Sequence, residues 1–199
     1  MKLSTRNLVT LAVFAALWGL SEIGLGSVLK AIDLPFSGAF LAAIGMVIAL
    51  TARSFVPRRG TTLFVGVTVM ILKLFSIGSI LIGPMIGILM EAVLAEVVLS
   101  LFKRPSLPAF LLAASSALLW VFVQPFITGV LLFGRDLFTI WLDLLDLGER
   151  LFGLDPAAAG WIVLVLVFIH VLIGTTAGWF AWSAGKILQK RMPGTTRTT

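Results

Sequence analysis

The sequence predicts an all-α membrane protein, a bundle of about six transmembrane helices, and three observations carry that expectation. The first is composition: 59% of the 199 residues are hydrophobic and 12% are charged, against about 45–50% and ~25% in soluble domains. The second is the length of the apolar runs, several of which approach the ~20 residues that a helix needs to cross a hydrocarbon core. The third is where the charges fall, mostly in short segments between those runs. Together they leave no room for a separate soluble domain, and predict one transmembrane domain over 1–192 and a disordered basic tail over 193–199.

Taken in order, span 1 is expected over Asn7–Lys30, followed by a turn at Asp33-Leu34-Pro35 in which Pro35 opens the next helix at its first position. Span 2 covers Pro35–Ala52 and ends in the basic loop Arg53–Gly60, broken by Pro57 and Gly60. Span 3 covers Thr61–Ile80, and an Ile82-Gly83-Pro84 turn reverses the chain into span 4, Pro84–Phe102. Lys103-Arg104-Pro105 ends that span. Span 5 covers Leu107–Phe133, with Pro125 expected to kink it. Span 6 covers Pro156–Ile187 and leads into the tail from Lys190 to Thr199. The N-terminal run is too long for the apolar part of a signal peptide and no small-x-small cleavage site follows it, so it reads as a retained first helix.

The basic residues set an orientation. Lys2, Arg6, Arg53, Arg58, Arg59, Lys103, Arg104, Lys186, Lys190, Arg191 and Arg197 fall on the N-terminal side, eleven against Lys30, Arg135 and Arg150 on the other, with Lys73 inside span 3. By the positive-inside rule both termini are cytoplasmic and the chain is a multi-pass protein of the cell membrane. The net charge of +6 therefore reads as membrane orientation rather than nucleic-acid binding. The chain has no cysteine. Disulfides, iron–sulfur clusters and thiol catalysis are excluded. One histidine without cysteine makes no convincing metal site, and no nucleophile–base set, P-loop or dinucleotide motif occurs. No enzyme activity, catalytic residue or cofactor is expected.

One connection is long. Between spans 5 and 6, Asp136, Thr139, Asp143, Asp146 and Glu149 recur at helical spacing among Leu, Phe, Ile and Trp141. That pattern predicts an amphipathic helix on the outer membrane surface, either a lid over an outward-facing site or a connector that covers the top of the bundle.

Ionisable groups at membrane depth are costly and usually face a bundle interior. By the helical rise of ~1.5 Å per residue, Glu22 lies about 22 Å from the cytoplasmic end, Lys73 about 18 Å and Gln124 about 24 Å, while Glu91 lies about 10 Å below the outer end of span 4. These four share the outer half, with His170 near the middle and Glu96 deeper. Such a level is the layout of a small-molecule pocket, with Trp18 and Trp120 as stacking surfaces. Glu22, Lys73, Glu91, Gln124, His170 and Trp120 are the candidate substrate-binding residues. The plainer alternatives stay open: Lys73 neutralises Glu91 or Glu22 to hold helices together, both tryptophans pack the bundle, His170 is a satisfied core histidine, and Glu96 is a buried, partly protonated acid bonded to a neighbour.

Span 1 carries Ala12-Val-Phe-Ala-Ala16, with Ala15 and Gly19 at the same spacing. Small residues four apart let a second helix approach closely, so Ala12 and Ala16 are candidate docking residues, or else internal packing. With this motif, a short span 2 ending at a basic Pro-containing turn, Gly83-Pro84 leading into Gly87-x-x-x-Glu91, and a long outer connection before the last helix, the chain resembles the S components of energy-coupling factor (ECF) transporters over almost its whole length. The resemblance implies a binding subunit that captures a vitamin or related micronutrient outside the cell, with no catalysis or cofactor of its own. It also implies docking through Ala12 and Ala16 on a transmembrane coupling subunit served by two cytoplasmic ATPases. Lys2, where the nickel and cobalt members carry histidine, argues against a metal cargo. Two other readings remain: a structural or assembly subunit of a larger membrane complex, and a proton-linked carrier or membrane enzyme using Glu22, Glu91 and Glu96.

Overall fold

The computed structural model describes residues 4–32, 34–75 and 82–191, with the backbone alone at Lys30. The described residues form seven α-helices: α1 (Thr5–Ala31), α2 (Ser37–Phe55), α3 (Thr61–Lys73), α4 (Ile82–Leu101), α5 (Leu107–Phe133), α6 (Leu137–Phe152) and α7 (Ala159–Arg191). Among the described residues there is no strand. Five helices, α1, α2, α4, α5 and α7, are long and apolar enough to cross a membrane, and α3 is a shorter apolar helix. Large apolar side chains such as Leu20, Leu101, Leu131, Trp161 and Phe168 are exposed along them. In water each would cost about 1.5–3 kcal/mol relative to burial. Facing lipid costs nothing of the kind, and the chain fits a multi-pass membrane protein.

Local chemistry places most helix ends. At α5, the Ser106 hydroxyl accepts from the Ala109 N–H, proline stands in the first turn, and Gly134 closes the helix at φ 59°. Asp136 accepts from the Phe138 and Thr139 N–H groups at the start of α6. It is therefore a cap rather than part of a polar face. Gly153 ends α6 at φ 63°. Asp155 then starts a 3-10 turn over Pro156–Ala158 that leads into α7.

Several boundaries differ from the sequence reading. Pro35 does not open α2; Phe36, at φ 60°, is its N-cap and Ser37 its first residue. A left-handed phenylalanine is costly. Its ring packs beside both apolar clusters of the bundle, which offsets the strain. Ile82-Gly83-Pro84 is not a turn but the first turn of α4, where proline is tolerated because the first helical N–H groups have no intrahelical partner. Helix α3 stops at Lys73, and the end of the expected span 3, 76–80, lies outside the described residues, as do Lys2, Asp33, Arg197 and the 193–199 tail. Pro125 stands inside a continuous α5.

Helix α2 is the centre. It touches α1, α3, α4, α5 and α7, while those five form a chain of neighbours around it in the order α1, α3, α4, α5, α7. The ring does not close, because α1 and α7 do not touch among the described residues. Small residues make the centre dense: Ala39, Ala42, Gly45, Ala49 and Ala52 on α2 are buried, and Trp18 of α1, fully buried, lies over Gly45 where a Cβ would stand. Helices α5 and α7 approach each other backbone to backbone. A Cβ on Gly174 would lie 2.6 Å from the Ser115 Cα, and one on Gly178 would lie 2.5 Å from the Phe110 carbonyl oxygen. Gly174-x-x-x-Gly178 is thus a small-residue helix contact, one the sequence reading passed over while it weighed the same pattern in α1.

Candidate functional site

Two charged clusters and one isolated histidine account for the ionisable groups within the bundle. The first cluster sits where α2 ends and α3 begins. Glu96 of α4 accepts from Arg53 Nη1 at 3.1 Å, from the Gly60 N–H at 2.7 Å, from the Thr62 N–H at 2.9 Å and from the Ser100 hydroxyl at 3.4 Å. Gly60, at φ 87°, is the N-cap of α3 and has no side chain to bond the first N–H groups. Glu96 does that work from a neighbouring helix. Glu96 is thus a buried acid bonded to its neighbours. Arg53, expected to open a basic loop, instead stands in the last turn of α2 and is 6% exposed. This cluster is structural.

The second cluster lies toward the other end of the same helices. Lys73, the last residue of α3, reaches α1, where its Nζ donates to the Glu22 carboxylate at 3.2 Å and to the Glu22 carbonyl at 3.1 Å. Gly26, one turn further along α1, lies beside the ammonium, where a Cβ would stand 3.9 Å from Nζ, an ordinary contact. Glu91 of α4 is 6% exposed, its Oε2 is buried without a hydrogen-bond partner, and Glu22 is close enough to act on it electrostatically. One turn above Glu91 on the same helix stands Gly87, and Gln124 of α5 lies over it. The Gln124 amide donates to the Gly83 carbonyl at 2.9 Å. Glu22, Lys73, Glu91 and Gln124 are therefore gathered by α1, α3, α4 and α5, as their depths in the sequence suggested. Lys73 is paired with Glu22, and among the described residues Glu91 has no cation.

The structure separates His170 from this cluster but not Trp120. His170 of α7 is buried, its Nδ1 is 2.8 Å from the Leu166 carbonyl, and its ring meets the edges of Phe36 and Phe122 at 5.9 and 5.6 Å. A carbonyl only accepts, so Nδ1 carries a proton. On α5, Phe122 faces α7 whereas Gln124 faces α4, so His170 occupies a different sector of the bundle from Glu91. Trp120 is half-buried, one turn from Gln124, and its indole N–H is buried without a partner.

Above His170, Leu145 of α6 packs with Ile162 and Leu166 of α7, flanked by Phe36, Phe122 and Trp141. Ile140 meets Gly129 of α5, and Gly148 meets Ile162. The opposite face of α6 carries Asp143, paired with Arg135, and Asp146, paired with Arg150 at 2.9 Å.

The two small-residue pairs of α1 part company. Ala15 and Gly19 are buried, with Gly19 against Leu72 of α3, while Ala12 and Ala16 are exposed together with Val9, Val13 and Leu20. Beyond them, in the gap between α1 and α7, a groove of about 500 Å³ runs along α2 and α7, lined by residues such as Phe40, Ile44, Val47, Ile173, Thr176 and Phe180. Its lining includes none of the predicted substrate-binding residues. Among the described residues no group of histidine and acidic side chains could hold a metal ion.

No protein-family model matches the chain, and neither do the curated proteins or the solved structures with which it was compared.

Proposed function

We propose that the chain is the membrane-embedded solute-binding subunit of an uptake system of the ECF type, capturing a vitamin or related micronutrient and relying on partner subunits for energy. The observation that carries this reading is Glu91. A carboxyl group with a buried, unpartnered oxygen, beside a Glu22–Lys73 pair that is already satisfied, is expensive in a bundle interior. A bound solute would supply the missing partner. In this reading the excess of basic residues between the spans on the N-terminal side marks the cytoplasmic side, α3 counts as a sixth crossing, and α6 lies on the outer surface over the α5–α7 end of the bundle.

The need for a partner is supported from outside the bundle. Ala12 and Ala16 present a flat face on α1, and the open ring between α1 and α7 exposes an apolar strip of α2 beside it. A coupling subunit with a helix to lay on that face would close the ring, and two cytoplasmic ATPases would serve it. The same open ring favours a second reading, a structural subunit of a larger membrane complex. Purifying the chain with its membrane neighbours and measuring thermal stabilisation by a vitamin panel separates the two. The capture reading expects at least one solute to raise the unfolding midpoint and a coupling subunit to co-purify. Co-purification of other membrane subunits with no stabilising solute would establish the second reading in its place.

A further inference from the structure

We infer that the groove between α2 and α7 seats one anionic phospholipid, with an acyl chain in the groove and the phosphate among Lys186, Lys190 and Arg191 at the end of α7. The inference holds whichever reading of the function is taken. The groove has a volume of about 500 Å³ and is walled by Phe40 to Ile48 on α2 and Leu172 to Phe180 on α7. Its one side-chain hydroxyl, on Thr176, donates back to the Leu172 carbonyl at 2.7 Å, so the walls offer no free donor. A surface of this kind takes hydrocarbon and penalises polar groups. At ~1.5 Å per residue each wall runs for about 12 Å, less than half of the ~30 Å that a crossing helix would lay along it. A narrow, flexible chain fills such a groove better than a helix does.

Charge beyond one end of the groove identifies the rest of the ligand. Leu172 and Lys190 are eighteen residues apart on α7, as are Ile173 and Arg191. Eighteen residues make five whole turns at 3.6 residues per turn, so both cations stand on the groove's face of the helix. Lys186, one turn before Lys190, flanks them, and all three are exposed. Lys186 lies about 9 Å past Phe180 by the helical rise, with its Nζ 4.8 Å over the Trp182 ring. Tryptophan and basic side chains together mark the headgroup level of a membrane helix. From Lys186, one leaflet's depth of hydrocarbon, about 15 Å, reaches back to Thr176 in the middle of the groove. Among the described residues the acid nearest this end is Glu96, buried and bonded to Arg53; the others belong to the Glu22–Glu91 level or to α6 and its flanks. A phosphodiester supplies the missing negative charge, whereas a zwitterionic headgroup would bring a cation of its own beside three others. The groove is lined by α2 and α7 alone, so the lipid leaves the Ala12 and Ala16 face of α1 clear.

The test uses the full chain, delipidated in detergent, and three probes: dioleoyl phosphatidylglycerol, dioleoyl phosphatidylcholine, and glycerophosphoglycerol, which is the anionic headgroup without chains. Native mass spectrometry is expected to show one phosphatidylglycerol held per chain, at least tenfold over phosphatidylcholine, and no free headgroup held at the same concentration. Lys186→Gln, Lys190→Gln and Arg191→Gln made together should bring phosphatidylglycerol down to the phosphatidylcholine level. Ala43→Trp and, from the opposite wall, Thr176→Trp fill the groove and leave the cations in place; each should lower retention of phosphatidylglycerol at least tenfold. None of the five positions is buried, and an unchanged unfolding midpoint checks that each variant keeps the fold. Equal retention of the two lipids, a preference that survives the triple change, retention untouched by both tryptophans, or free headgroup held as tightly as the lipid would each overturn the assignment. A partner helix cross-linked to Thr176→Cys in the purified complex would give the groove to protein and overturn it too.

Discussion

Replacing Glu96 by glutamine tests the packing logic most sharply, because the side chain keeps its size and loses one acceptor. In the native arrangement Oε1 takes Arg53, Gly60 and Ser100, and Oε2 takes Thr62. A glutamine can put its amide nitrogen only where a donor already points. Its better orientation places the nitrogen toward Thr62, leaving that N–H facing another donor at a cost of about 1–3 kcal/mol. Either orientation strips the buried Arg53 of its counter-charge, and breaking one side of such a pair costs about 3–5 kcal/mol. The two losses share one network and do not add, so the expected destabilisation is about 3–5 kcal/mol. At the ~2–4 °C per kcal/mol seen for domains of this size, the unfolding midpoint should fall by roughly 10 °C. Thermal unfolding in detergent measures it, with the exposed Glu149→Gln on α6 as the control, expected within about 0.5 kcal/mol of wild type. If Glu96→Gln melts with that control, Glu96 is not what holds the α2–α3 corner.

Three further predictions follow from other contacts. Gly178→Ala would drive a Cβ to 2.5 Å from the Phe110 carbonyl oxygen and 2.8 Å from the Leu111 Cα; both belong to backbone, so a loss of about 1–3 kcal/mol is expected, and an unchanged unfolding midpoint would contradict so close an α5–α7 approach. Lys73→Met leaves the Glu22 carboxylate buried and unpaired and should cost about 3–5 kcal/mol, most of it regained when Glu22→Gln is added; a double variant no more stable than the single one would refute the pairing. Ala16→Trp lies on an exposed helix face and should move stability by no more than about 0.5 kcal/mol while abolishing co-purification with a coupling subunit; docking that survives it would clear that face of any role.

Much of the helical layout was legible because apolar runs and their breakers are local. Span 5 was read as Leu107–Phe133 and the helix has those ends, since a serine cap, a proline and a glycine mark them directly. Helix α3 ends at Lys73 although the apolar run goes on through Phe75; an apolar run does not reveal where hydrogen bonding stops. Ile82-Gly83-Pro84 was misread as a turn for a related reason: glycine and proline break a helix interior but not its first turn. In the site, depth counting brought Glu22, Lys73, Glu91 and Gln124 together because helical rise is nearly constant. It could not choose Lys73's partner or set His170 apart, since both depend on helix rotation. The Arg53–Glu96 contact joins residues 43 apart in sequence, and nothing local to either announces it. Gly174-x-x-x-Gly178 was visible as a pattern; what distinguishes it from Ala12-x-x-x-Ala16 is which face turns inward, and that is a property of the assembled bundle.

The central claim is that Glu91 belongs to a site that captures solute for a partner to carry inward, and ATP-driven uptake by the reconstituted chain tests it directly. With a coupling subunit and two ATPases in liposomes, the wild-type chain should accumulate at least one member of a labelled vitamin panel, and Glu91→Gln should lose that uptake while still co-purifying with the coupling subunit. Uptake at the wild-type rate by Glu91→Gln, or no uptake of any solute by a complex that assembles normally, would contradict it.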